Sequence, residues 1–144
     1  MPISIERVGR LEASDWRLLA GATLLQLLTA CALRVMSLPA LRNVSARLRP
    51  LAMFLLNGSE ERAIWAVEAS GRRLGRFSTC LVRAIIVDLR FGSAERPLRL
   101  MIGVRRAPQG RVESHAWLED RRRILVGGPA AGFVTLVAWD SLPT

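Results

Sequence analysis

The chain has 144 residues, 51% of them hydrophobic, and carries a formal net charge of +9. This length and composition favour one folded domain and exclude a disordered chain. The charge alone suggests an acidic partner, but all 21 basic residues are arginine. Because the arginine clusters lack interleaved aromatic residues, we do not expect the chain to bind nucleic acid.

The cysteine and histidine content narrows the chemistry further. Two cysteines, Cys31 and Cys80, are too few for the disulfide framework of a small secreted domain, so we expect a cytoplasmic protein. One histidine and scattered carboxylates offer no familiar spacing of three or four metal ligands. We therefore expect no metal and no other cofactor.

The first half of the chain is predicted to be helical, with helices over residues 16–36, 40–56 and 60–69. Ser14 or Asp15 is expected to cap the first helix, and Pro39 helps to end it. Pro50 is expected to mark a break or a new first turn within the second helix. Residues 70–77 then form a basic connector.

The first helix raises the question of a membrane. Its apolar stretch, residues 18–33, is shorter than the roughly 20 residues that a bilayer span needs, so a buried or partner-covered helix is favoured over membrane association. The sequence Leu-Thr-Ala-Cys at residues 28–31 also matches the site at which bacterial lipoprotein signals are cut. Against that alternative, Glu6, Glu12 and Asp15 precede the apolar stretch, whereas secretory signals keep that region net positive.

The second half begins with a helix and continues as strands. Cys80 lies at or near the start of a helix whose apolar residues share one face, and Gly92 ends this helix. A period of two then predicts strands over residues 98–105, 112–119, 124–126 and 133–139. The predicted class is α+β, with an N-terminal helical region over residues 1–59 beside a core over residues 60–144.

Cys80 and His115 are the candidate catalytic residues. Unpaired N–H groups and the helix dipole at a helix N-terminus stabilise a thiolate, and the same N–H groups can receive an oxyanion. His115, the only histidine, follows on a strand, and its imidazole can hold the thiolate as an ion pair and protonate a leaving amine. From composition and spacing alone, a buried core cysteine and a structural histidine remain open.

The residues around this pair resemble a known family. The similar blocks are Cys80-Leu81, the helix ending near Gly92, Leu100 to Arg105, Ser114 to Glu119, and Val126-Gly127-Gly128. Together, over roughly residues 60 to 140, they resemble the lasso-peptide leader peptidases. These transglutaminase-like, papain-type cysteine proteases share the signature Cys-Leu, Ile-Gly-Val-Arg and His-Ala-Trp-Val-Glu.

The resemblance implies both an activity and partners. It implies a peptidase that removes the leader from a ribosomally made lasso-peptide precursor, with an ATP-dependent lasso cyclase and a small leader-recognition protein as neighbours. Because 144 residues leave no room for a separate leader-recognition domain, that protein is expected to be a separate chain. Two alternatives stay open: transglutaminase-type acyl transfer, and an inactive docking or membrane-associated subunit of the maturation complex.

The third catalytic residue of the family is missing from its usual place. The family has an Asp about a dozen residues after the histidine, and Gly127 and Gly128 occupy that slot here. Four carboxylates are candidate substitutes: Glu113, Glu119, Asp120 and Asp140. A backbone carbonyl or a water that orients His115 is an equally open alternative.

Overall fold

The computed structural model describes residues 11–140 and confirms the α+β class. Four α-helices come first: α1 Ala13–Val35, α2 Leu38–Leu55, α3 Glu60–Leu74 and α4 Cys80–Phe91, with a short 3-10 helix, Gly75–Phe77, before α4. Four strands follow: β1 Arg99–Arg106, β2 Val112–Asp120, β3 Arg123–Val126 and β4 Val134–Asp140. The predicted regions 1–59 and 60–144 extend beyond the described residues at both ends.

Helix α1 begins earlier than the sequence pattern indicated. Its N-cap is Glu12 rather than Ser14 or Asp15. Asp15 lies inside the first turn, where its carboxylate accepts a hydrogen bond from the Glu12 backbone N–H at 3.1 Å. The carboxylate therefore satisfies a donor that the helix itself leaves free, and three more residues become helical.

The predicted break at Pro50 and the predicted end of the third helix were both wrong. Helix α2 continues through Pro50 to Leu55. The carbonyl that loses its helical partner there belongs to Ala46, which is exposed, so water can replace the missing donor. Helix α3 extends to Leu74 because Ser70 and Gly71 are buried against the core instead of forming a solvated connector.

Helix α1 is part of the core. It packs on α2, α3 and α4, and its face that includes Leu18, Ala22 and Leu25 is buried. By length and composition α1 is apolar enough to cross a bilayer, with a mean hydropathy of 1.7 over an 18-residue window, so the argument from a short apolar stretch does not hold. Core helices of soluble proteins and signal sequences near an N-terminus pass the same test, so this property alone does not distinguish them. The opposite face of α1, including Trp16, Leu24 and Leu28, is exposed.

The four strands form one antiparallel sheet in the order β3-β2-β1-β4. Helix α4 packs on the face of this sheet that includes Leu100, Ala116 and Leu118. The segment between the predicted strands 112–119 and 124–126 is a turn at Arg121 and Arg122, and both residues have positive φ angles, 47° and 73°. Helix α4 contacts β2, so the start of α4 lies next to the strand that carries His115.

A cluster of charges ties α3 to the end of β2. Arg96, in the loop before β1, donates to Asp120 at 2.6 Å and also to Glu60 at the start of α3. These hydrogen bonds hold the pKa values of Glu60 and Asp120 below their usual range. A carboxylate with a depressed pKa stabilises the fold above the pKa of the unfolded chain, near 4, and loses that contribution as pH falls.

Replacing Arg96 by Gln is therefore expected to lower the free energy of unfolding at pH 7 by about 1–2 kcal/mol, since the groups are only partly buried. The difference from wild type should shrink as pH falls below about 4, because the carboxylates become protonated first in the unfolded chain and, at lower pH, in the folded protein. Urea unfolding at pH 7 and pH 3 measures this difference in the free energy of unfolding. Arg99→Gln is the matched control, because its pair with Asp140 is exposed. A loss of stability in the Arg96 variant that did not depend on pH would contradict the prediction.

Candidate active site

The start of α4 presents Cys80. Thr79 is the N-cap, and its hydroxyl accepts a hydrogen bond from the Val82 N–H at 3.3 Å. Cys80 is the first helical residue and is half-buried. This is the position at which a helix best stabilises a thiolate.

The thiol lies against strand β2. The backbone N–H of Ala116 points to the Cys80 Sγ at 3.3 Å, and Ala116 is the residue after His115. The structure thus places the Cys80 thiol against the backbone of β2, at the residue that follows His115. Within residues 11–140, no hydrogen bond joins Sγ to the His115 ring itself, so the resting thiol contacts the strand backbone.

His115 is oriented by a backbone group. Its Nε2 is hydrogen-bonded to the carbonyl of Gly127, which directly follows β3. A carbonyl can only accept, so Nε2 must carry the hydrogen and Nδ1 of the neutral ring must be unprotonated. Nδ1 is therefore the ring nitrogen available to take a proton from a thiol.

Aromatic rings enclose the imidazole on its face of the sheet. The Trp117 ring lies 6.0 Å from the His115 ring, centroid to centroid, and the Phe133 ring lies 5.0 Å from it. The Arg105 guanidinium in turn lies over Phe133 at 4.6 Å. These contacts restrict rotation of the ring. Phe133 precedes β4, and nothing in the sequence pattern associated it with His115.

The four candidate carboxylates all have other partners. Glu119 accepts a hydrogen bond from the Trp117 indole at 2.7 Å, and Asp120 is paired with Arg96. The remaining two, Glu113 and Asp140, are paired with Arg105 and Arg99. Among the described residues, the hydrogen-bond partner of the His115 ring is the Gly127 carbonyl, which corresponds to the backbone alternative left open by the sequence.

The relationship of this chain to known proteins follows from comparison of its sequence. The sequence model of the transglutaminase-like superfamily matches residues 17–138. The chain belongs to this superfamily. Members of the transglutaminase-like superfamily are typically cysteine peptidases or acyltransferases. Comparison with curated proteins and with solved structures gave no significant match.

Three features of this arrangement bear on thiol chemistry. A thiol lies at a helix N-terminus, with an imidazole on the adjacent strand and a fixed tautomer. The N–H groups of the first turn of α4 are suited to a developing oxyanion. No group of three His, Cys, Asp or Glu side chains in the described part of the chain is placed to hold a metal ion.

Gly127 and Gly128 differ in whether the surrounding structure leaves room for a side chain. Gly127 has a φ of 86°, and a Cβ there would lie 2.5 Å from the Ala116 carbonyl oxygen. An Asp at position 127 is therefore incompatible with this backbone. A Cβ at Gly128 would meet only the Ile124 side chain, whose nearest atom, Cγ2, lies 3.4 Å away, an ordinary contact. Of the two glycines in the family's Asp slot, only Gly128 can therefore be replaced by Asp without a shift of the backbone.

We expect Gly128→Asp to maintain or raise turnover, because it would place a carboxylate where the similar family has one. Glu119→Gln should cost little, since the Gln carbonyl can still accept the Trp117 hydrogen bond. Steady-state kinetics on a cleavable precursor measure both. A loss on the order of tenfold or more in Glu119→Gln would instead assign Glu119 the role of orienting His115.

Proposed function

We propose that this chain is a cysteine peptidase that cleaves the leader from a ribosomally synthesised lasso-peptide precursor in the cytoplasm. The observation that best supports it is the position of the Cys80 Sγ, 3.3 Å from the backbone N–H that follows His115. That geometry occurs in a member of the transglutaminase-like superfamily. The sequence blocks around both residues resemble those of lasso-peptide leader peptidases.

The proposed reaction proceeds through a thioester. Nδ1 of His115 takes the Cys80 thiol proton, and the thiolate attacks the carbonyl of the last leader residue. The resulting oxyanion lies at the N-terminus of α4. Collapse of the intermediate breaks the peptide bond, and His115 protonates the departing amine of the core peptide. Water then hydrolyses the thioester, which releases the leader and restores the thiol.

The proposed partners follow from the same resemblance. The precursor would be delivered by a separate leader-recognition protein, and the released core peptide would pass to a lasso cyclase. The enzyme would use no cofactor, because the thiol and the imidazole supply both the nucleophile and the proton transfers of this mechanism.

Mass spectrometry of a lasso precursor incubated with the protein tests this proposal. The assay is run with and without a leader-recognition protein, and a peptide lacking the leader serves as the matched substrate control. A leader fragment and a free core peptide support the proposal. A cross-linked peptide that has lost ammonia would indicate acyl transfer, and an unchanged precursor with the recognition protein present would indicate a docking subunit; either overturns it.

A further inference from the structure

A buried polar cluster connects the middle of α1 to the loop before Cys80. Gln26 is 0% exposed, although it lies in a helix that is apolar enough to cross a bilayer. Its side-chain amide donates to the Ser70 hydroxyl at 2.7 Å and to the Val67 carbonyl at 3.2 Å. Its carbonyl oxygen accepts from the Ser78 hydroxyl. We call Gln26, Ser70 and Ser78 the Gln26 network.

The network joins three separate elements. The Ser70 hydroxyl in turn donates a hydrogen bond to the Ala66 carbonyl of α3 at 2.6 Å. Gln26 belongs to α1, Ser70 to α3, and Ser78 to the segment just before α4. Each of the three side chains is buried and has at least one hydrogen-bond partner, so the hydrogen bonds fix the positions of the side chains relative to one another.

Hydrophobic burial does not account for a glutamine at this position. Burying an amide costs free energy that its hydrogen bonds only offset, and apolar residues of similar volume often stabilise a core equally well. Position 71 is also adapted to the network. A Cβ on Gly71 would lie 2.5 Å from the Ser78 hydroxyl and 3.2 Å from the Gln26 carbonyl oxygen. Only glycine lets α3 approach the network this closely.

The network acts at the segment that presents the thiol. Ser78 is followed by Thr79, the N-cap of α4, and then by Cys80. The backbone N–H of Ser78 is also held, by the Gly75 carbonyl at 3.0 Å. With its backbone and its hydroxyl both bonded, Ser78 sets the point from which α4 begins, and hence where the Cys80 Sγ meets strand β2.

We infer that Gln26, acting through Ser78, is a positioning residue that sets the location of the Cys80 thiol relative to His115. This inference rests on the proposed function for its effect on peptide cleavage. A displacement of about 1 Å at a reacting group can cost on the order of a hundredfold in rate, so a second layer that holds the nucleophile is expected to matter for turnover.

The experiment compares Gln26→Leu and Ser78→Ala with Thr29→Val, all in a Cys31→Ala background so that Cys80 is the one remaining thiol. Thr29 is a matched control because it is a buried polar residue of the same helix, 7% exposed, outside the network. The rate of Cys80 alkylation by iodoacetamide is measured from pH 5 to 9. Precursor cleavage supplies kcat and KM, and thermal melts report folding.

We expect Gln26→Leu and Ser78→Ala to lower kcat by about tenfold or more with little change in KM, and to change the rate and pH profile of alkylation. Thr29→Val should match the background protein in both assays. Unchanged kcat and unchanged alkylation in the two network variants would overturn the inference, even if their melting temperatures fall.

Two features keep the test decisive. If Gln26→Leu does not fold, Ser78→Ala decides alone, because it leaves the hydrogen bonds between Gln26 and α3 in place. Alkylation needs no peptide, so a background protein that cleaves no precursor would reject the proposed function while the thiol assay still tests the network.

Discussion

Replacing Cys80 by alanine is expected to abolish precursor cleavage, with a loss on the order of a thousandfold to a millionfold in turnover. The substitution removes the sulfur that attacks the scissile carbonyl in the proposed reaction, and the other thiol, Cys31, is an exposed residue of α1. The fold should survive, because Cys80 is half-buried at a helix start and alanine keeps its Cβ. Cleavage is followed by mass spectrometry, and folding by circular dichroism and thermal melts.

Cys31→Ala is the matched control within the same chain. Cys31 is an exposed residue of α1, whereas Cys80 contacts β2, so the Cys31 variant should cleave at the wild-type rate. Equal residual activity in Cys80→Ala and Cys31→Ala would refute the thiol mechanism. Loss of membrane association in Cys31→Ala alone would instead support the lipoprotein alternative suggested by residues 28–31.

Replacing Gly127 by alanine is expected to reduce both stability and turnover. A residue with a side chain is strained at a φ of 86°, and its Cβ would lie 2.5 Å from the Ala116 carbonyl oxygen, so the backbone must shift. The free energy of unfolding should fall by about 1–3 kcal/mol. The same shift displaces the carbonyl that holds His115 Nε2, so turnover should fall on the order of tenfold or more.

Gly128→Ala separates this effect from a general sensitivity of the loop. A Cβ at Gly128 meets only the Ile124 side chain at 3.4 Å or beyond, so stability and turnover should stay close to wild type. Urea unfolding and precursor kinetics on the two variants measure the difference. If Gly127→Ala lost stability but kept full turnover, the Gly127 carbonyl would not be the group that orients His115.

The sequence by itself determined the α+β class and the order of helices before strands. It also proposed the pair Cys80 and His115, on a helix start, a single histidine and a family resemblance. Periodicity carries this information, because a change from a helical stripe to alternation marks where α4 ends and β1 begins. The turn at Arg121 and Arg122 was also predictable, since it separates two apolar runs on neighbouring strands. Local sequence was less reliable at Pro50 and Ser70, where packing and solvent exposure decided whether the helix continued.

Only the tertiary structure decided what surrounds the candidate pair. Gly127 and Phe133 reach His115 because β3 ends at Val126 and the chain then leads to β4, on the far side of the sheet. Gln26 and Ser78 are far apart along the chain and meet because α1 packs inside the core. Such contacts depend on backbone position and on pairs of distant residues, and neither leaves a periodic or motif signal in one sequence.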